Sequence, residues 1–337
     1  MAEKNYDVLT VGRSSIDLYS NDIGAPFVDI SSFGAFVGGS PLNIATGLSR
    51  LGMRSALLSG VGQDQVGDFI LNFLRQEGVE TRFLPRIEGA RSSAVVLGIE
   101  PPDRFPLVFY RDNCADSQIN IDHVVEADVG QFKVLETSGT ALNKEPSRSA
   151  VFFAVEEARR EGVTVVHDLD FRNDQWHDTR AFGVTTRALL PRVDVAVGTE
   201  EEVLATVLQD PSQVTIRHQQ VSAPEIKGDL DEGIRRIQDL GVETLIVKRG
   251  ALGASYFRRG EDPVDVPGFP VDIVNILGAG DAFATGLIYG ILKGWDWYRS
   301  CRMGNACGAV VVTRHGCANF MPFEKELLEF VEAKGGF

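Results

Sequence analysis

Residues 274–286 read VNILGAGDAFATG: a strand-like run, three small residues, an aspartate and an apolar helical pattern. A helix start carries unpaired N–H groups and the positive end of the helix dipole, which together bind anions. Gly278, Ala279 and Gly280 would let an oxyanion approach that backbone closely, with Asp281 beside it to take the proton of a hydroxyl. The plain alternative is a glycine loop in which Asp281 is an ordinary first-turn residue. Two nucleotide motifs are absent. No glycine-rich P-loop ending in Gly-Lys-Ser/Thr occurs, and Phe283 occupies the third glycine position of G-x-G-x-x-G.

A second stretch, GGSPLNIATGLSRLG (38–52), sets Gly38 and Gly39 before a helix, and Asn43 offers a ligand both donors and an acceptor. It reads equally well as a tight strand–helix turn. Ser40 is expected as its N-cap, Pro41 as the first helical residue and Gly52 as its stop, with Leu42, Ala45, Leu48 and Leu51 on one face. A third stretch, DLDFRNDQW (168–176), follows a strand with Asp168, Asp170 and Arg172. Arg172 suits bidentate recognition of a carboxylate, and a surface ion pair is its alternative.

The elements that must position these residues alternate. YDVLTVG (6–12) is a strand, 40–52 a helix, SALLSGVG a strand, and VGDFILNFLRQEG a helix with Val66, Phe69, Ile70, Phe73 and Leu74 on its apolar face. KVLETSG, SRSAVFFAVEEARREG, VTVVHDLD, VDVAVGT, EEEVLATVL, DEGIRRIQDLG and TLIVKRG continue the alternation. Such a pattern implies right-handed crossovers, a mostly parallel sheet covered on both faces, and ligands beyond the carboxyl ends of its strands. Residues about 17–37 and 91–112 are each strand-like with no helix between neighbouring strands; antiparallel excursions forming a small lid are expected, with an edge hairpin as the alternative. The polar, aperiodic stretch 209–229 reads as a surface loop.

Composition removes several classes. A net charge of −14 argues against a nucleic-acid surface, which needs a basic patch. A polyphosphate would have to be held by backbone N–H groups, a few Lys or Arg and a divalent metal. Cys114, Cys301, Cys307 and Cys317 form no C-x-x-C pair and read as free thiols in a reducing compartment. No signal peptide is visible, and no apolar run reaches the roughly 18 residues of a membrane helix, so a cytoplasmic protein is expected.

GGSPLNIATGLSRLG and LGAGDAFATG, in that order, resemble the two signatures of the ribokinase-like (phosphofructokinase-B) sugar kinases, and the resemblance covers essentially the whole chain. VGTEEEV stands where that family has a metal-associated N-x-x-E, VKRGALGA stands at its nucleotide loop, and VVVTRHGCANFMP lies near its end. The resemblance implies one kinase domain over 1–337: an α/β fold, a mostly parallel β-sheet flanked by helices on both faces, with the small β-strand lid inserted. GRSSIDLY, FYRDNCAD, DLDFR and NILGAGDAF look most like the branch acting on 5-dehydro-2-deoxygluconate, a sugar acid of inositol catabolism. 2-Keto-3-deoxygluconate kinases and fructokinases are the alternatives within the family. Outside it stand a sugar-binding relative without transfer activity and a dinucleotide-dependent dehydrogenase.

By the same resemblance Asp281 is the catalytic base, and Gly278, Ala279 and Gly280 form the anion hole for the transferred phosphoryl group. Asp17, Gly38, Gly39 and Asn43 match sugar contacts. Glu202 matches the residue acting on Mg2+ through water, with Thr199 in place of the usual Asn. Lys248, Gly250, Gly253 and Asn305 match the ATP side; Lys248 and Asn305 read as readily as structural residues. An acid substrate benefits from an arginine fork. Arg111 or Arg172 is expected to bind its carboxylate, with Arg13 the weakest of the three and in a supporting role. Asn275 stands where most relatives carry an aspartate in a monovalent-cation loop; a neutral amide implies weak or absent K+ activation. The lid's outer face is the family's dimer surface, which makes a homodimer the implied partner arrangement.

Overall fold

Short runs of β-branched and apolar residues, each closed by glycine or a polar turn, build an eight-stranded sheet. In spatial order its strands are Val264–Val266, Ala254–Arg258, Thr244–Lys248, Val195–Thr199, Thr164–Asp168, Phe132–Ser138, Tyr6–Val11 and Ser55–Leu58. The six from Thr244–Lys248 to Ser55–Leu58 run parallel, and the first two are added antiparallel at the edge. The computed structural model describes residues 4–101, 104–216 and 223–337.

Helices cover both faces, as the alternation predicts. Ile121–Ala127, Ser147–Arg160, Thr179–Leu189, Glu200–Val207 and Leu230–Asp239 pack through residues such as Val151, Phe182, Val203 and Ile234 on one side. Ser40–Arg50, Ala279–Leu292, Trp297–Val312 and Glu324–Ala333 pack through Ile44, Leu287, Cys307 and Leu327 on the other. Helices 279–292 and 297–312 approach backbone to backbone. A Cβ on Gly286 would lie 2.5 Å from Met303 O, and one on Gly290 would lie 2.7 Å from Ser300 Cα.

A separate four-stranded sheet, in the order Phe33–Gly38, Ser15–Ser20, Ser93–Leu97, Leu107–Tyr110, arises from the two irregular segments. Its outer pairs are antiparallel, but the central pair is parallel. Residues 102–103 of the second segment lie outside the described residues, as do 217–222 of the stretch 209–229. The described ends of that stretch form a short antiparallel pair, Val214–Thr215 with Glu225–Ile226.

Two local expectations are corrected. The N-cap of helix 40–50 is Gly39, at φ 109°, and Ser40 is already helical. An L side chain at Gly39 would be strained and its Cβ would meet Arg13 O at 2.3 Å, so only glycine serves. In helix Gln65–Gln76 the buried face is Gly67, Ile70, Leu71 and Leu74, while Phe69 is exposed. Gly67 lies so near Gly62 O that a Cβ would sit 2.5 Å away, a close contact that no apolar periodicity reports.

Candidate active site

Five of the six parallel strands deliver candidate site residues from their carboxyl ends: Arg13 after Val11, Thr140 after Ser138, Asp170 and Arg172 after Asp168, Glu202 after Thr199, and Lys248 itself. Gly278, at φ 79°, caps helix Ala279–Leu292. A Cβ there would collide with the Cys317 backbone at 2.7 Å, which explains a glycine at this turn. Among the described residues the N–H groups of Gly278, Gly280 and Asp281 have no partner. That of Ala279 donates to Ile276 O at 3.2 Å, so the open anion-binding donors are Gly278, Gly280 and Asp281.

Asp281, half-buried in the first turn, accepts from Asn43 Nδ2 at 2.6 Å. Burial is the largest influence on its pKa and raises it, reinforced by the Asp170 charge; the Asn43 and Ser40 side chains and the Arg172 guanidinium pull the other way. The outcome is a carboxylate with more proton affinity than an ordinary aspartate. Asn43, expected as a sugar contact, thus fixes the orientation of the Asp281 carboxylate.

Around Asp17, an expected sugar contact, Arg13 Nη1 donates to Ser15 Oγ at 3.1 Å, and Ser15 Oγ donates to Asp17 Oδ1 at 2.7 Å. Asp17 is buried, and burial raises its pKa. Gly38 leaves room for that carboxylate, since a Cβ would sit 2.0 Å from Asp17 Oδ2. Asp170, in the left-handed region at φ 33°, accepts from Ser138 Oγ at 2.7 Å and Thr140 Oγ1 at 2.9 Å. Burial opposes its charge, yet Arg172, Arg13 and those hydroxyls hold its pKa below the ordinary value.

The three arginines differ in how their charge is met. Arg111 pairs with buried Asp116 at 2.6 Å and donates through Nη1 to Thr140 O and Gln175 Oε1, both at 2.8 Å. Arg172 pairs with Asp170 at 3.1 Å. Both favoured carboxylate ligands are therefore already held by carboxylates of the chain itself. Arg13, as buried as Arg111 and more so than Arg172, has no such partner within 4.0 Å among the described residues.

Lys248, expected on the ATP side, has its Nζ 3.2 Å from where a Gly280 Cβ would be. It pairs with Asp168 at 3.2 Å and stands 3.7 Å from Glu202. Burial pushes Asp168 up to about 7 against the pull of Lys248, whereas the surrounding carboxylates keep Lys248 charged. Glu202 Oε2 accepts from Thr199 N at 2.7 Å in a reciprocal cap of helix Glu200–Val207, and Oε1 accepts from Phe171 N at 3.1 Å. Gly250 and Gly253, at φ 55° and 98°, make the turn after Lys248; a Gly253 Cβ would lie 2.2 Å from Val266 O. Asn305 Nδ2 donates to Val266 O and Pro267 O, both at 3.0 Å, and so ties helix Trp297–Val312 to the sheet edge.

Asn275 is fully buried. It donates to His315 O at 2.6 Å and accepts from Leu277 N at 3.0 Å, joining two loops beneath Gly278. The sequence reading missed Ser15, Ser138 and Thr140, which position the carboxylates. Ser15 could have been found as the residue two before Asp17 on one strand face. It also missed Glu136. This residue is buried on the central strand, with neither carboxylate oxygen bonded, and burial together with the Asp168, Asp281 and Asp170 charges raises its pKa strongly.

Comparison with known proteins places this geometry. A 5-dehydro-2-deoxygluconokinase of Geobacillus thermodenitrificans is 34% identical over 98% of this chain and 94% of its own length. An E. coli protein assigned as a ribokinase II, solved with ATP and Mg2+, superposes with a TM-score of 0.83 at 24% identity, covering 97% of this chain and 99% of its own. A Vibrio cholerae fructokinase solved with fructose, ADP and potassium gives a TM-score of 0.81 at 25% identity, covering 98% and 99%. The model of the pfkB family carbohydrate kinases matches residues 5–324, from the first strand through the last loop before the final helix, and the chain belongs to that family.

Proposed function

We propose that this chain is an ATP-dependent sugar-acid kinase that phosphorylates the primary hydroxyl of 5-dehydro-2-deoxy-D-gluconate. The observation that carries the reading is the base held by an amide at a helix N-terminus: Asp281 on Asn43, with the free N–H groups of Gly280 and Asp281 beside the Lys248 ammonium. The relative from Geobacillus thermodenitrificans, alike over nearly its whole length, supports the choice of substrate.

Asp281 accepts the proton of the attacking hydroxyl. The N–H groups and Lys248 offset charge on the transferred phosphoryl group, where positioning and charge stabilisation dominate a loose transition state. These donors fit a polyphosphate. Mg2+, arriving with the nucleotide, supplies charge neutralisation on its phosphates; both Glu202 oxygens accept backbone N–H bonds, so this residue reaches the ion through water. The four-stranded sheet acts as the lid that excludes water from the sugar. Its outer face, where Ile16, Leu18, Ala35, Ala94, Val96, Val108 and Tyr110 share one side by register, joins two copies into a dimer.

The test is a panel of sugars and sugar acids followed by ADP release, with and without K+ at fixed ionic strength. Turnover of the 5-dehydro acid above 2-keto-3-deoxygluconate and fructose is expected, with no gain from K+ because Asn275 already joins its loops. Preference for fructose would overturn the substrate assignment; a large K+ gain would overturn the role given to Asn275.

A further inference from the structure

Arg13 is a buried guanidinium, 8% exposed, that no carboxylate among the described residues contacts as an ion pair, although its charge acts on Asp17 and Asp170 from further off. Its one hydrogen bond is to a neutral hydroxyl, Ser15 Oγ, and its Nε is buried without a partner. Among the described residues no carboxylate lies within 4.0 Å of it, whereas Arg111 and Arg172 hold Asp116 and Asp170 at 2.6 and 3.1 Å. Burying a guanidinium whose donors lack a contacting counter-ion is costly, so such a group persists where a ligand fills those donors. Two further observations place the ligand. The Phe109 ring of the lid strand Leu107–Tyr110 lies 5.3 Å from the guanidinium, covering one of its faces. The relay from Arg13 through Ser15 to Asp17 ties it to the sugar side of the site.

We infer that Arg13, roofed by Phe109, is the residue that binds the carboxylate of the sugar acid, and that Arg111 and Arg172 brace the site through their own ion pairs. This rests on the sugar-acid reading and names the group that enforces it. Nε and the remaining amino group form the edge of the guanidinium fork that matches two carboxylate oxygens. Arg13 thereby separates an acid from a neutral ketose of the same length. The neutral sugar would leave the buried charge unmet, so the penalty falls on the wrong substrate.

The experiment compares kcat/KM on the 5-dehydro sugar acid and on fructose for the wild type, Arg13→Gln, Arg13→Lys and Arg172→Gln, with unfolding temperatures with and without the acid. The Arg13→Gln loss on the acid should exceed its loss on fructose by on the order of a hundredfold, carried mainly by KM. Arg13→Lys should recover part of it. The acid should raise the unfolding temperature of the wild type but not of Arg13→Gln, and without ligand Arg172→Gln should be the less stable variant. Equal losses on both substrates, or a hundredfold selective loss in Arg172→Gln alone, would sink the assignment while leaving a sugar-acid kinase intact. A wild type that turns over no sugar acid would instead remove the reading on which it rests.

Discussion

The carboxylate of Asp281 stands where a helix start, the Asn43 amide and the charges of Asp170 and Arg172 meet. Burial dominates, so its proton affinity rises. At neutral pH that makes it a better proton acceptor than the weakly basic aspartate a dipole alone would leave. Asp281→Asn is expected to lower kcat roughly a thousandfold or more with ATP affinity retained, because the base is lost and the fold is not. A base must be ionised to act, so kcat/KM should fall as pH drops through an apparent value above the ordinary 3.8 of aspartate. Asp168, raised to about 7, steepens the same acid limb as Lys248 loses its partner. A profile flat down to the ordinary aspartate range would contradict both. Glu136 provides a separate test. Its folded pKa lies well above 4.5, so the native state holds a proton that the unfolded chain has released, and stability falls as pH rises between those values, by about 1.4 kcal/mol per pH unit. Glu136→Gln should therefore be more stable than wild type at neutral pH in urea titrations, the gap closing toward pH 4.5.

At the scale of elements, the catalytic helix 279–292 is fixed by glycine. Gly286→Ala would drive a Cβ into Met303 O at 2.5 Å and its carbonyl carbon at 2.6 Å, where backbone cannot turn aside. A loss of about 1–3 kcal/mol is expected. A parallel fall in kcat should accompany it, because the displaced helix carries the anion-binding turn at its other end; unchanged unfolding temperature and rate would refute the clamp. The alternation of strands and helices was legible because burial follows period and composition. Contacts made by absent side chains were not: the close approach of Gly67 to Gly62 O leaves no trace in the apolar period, and of the expected face only Phe69 turns out to solvent. The site divided similarly. Asp281, Asn43 and Gly38 stood in recognisable words, whereas Glu136 sits inside an ordinary strand run. The standing of Arg13 depends on which partners Arg111 and Arg172 found, and no spacing in the chain records those pairings.

For the whole molecule, a net charge of −14 leaves the phosphate site as a local arrangement of N–H groups and Lys248 rather than a basic surface. No helix among the described residues is long and apolar enough to cross a membrane. The apolar outer face of the small sheet, with Tyr110 63% and Val108 40% exposed, is the surface that a second copy would cover. Val96→Glu, placed between Leu18 and Val108 in register, should yield a monomer by sedimentation at concentrations where the wild type is dimeric. A wild type that sediments as a monomer would end the proposal. In that small sheet alternate residues of the same strands face opposite ways: Asp17 and Phe109 inward, Leu18 and Val108 outward. In the proposed dimer, a sugar that drew the inner face down would reposition the outer face against the neighbour. By reciprocity the neighbour's occupancy would alter the first site's affinity, and the response to rising sugar would depart from a simple hyperbola.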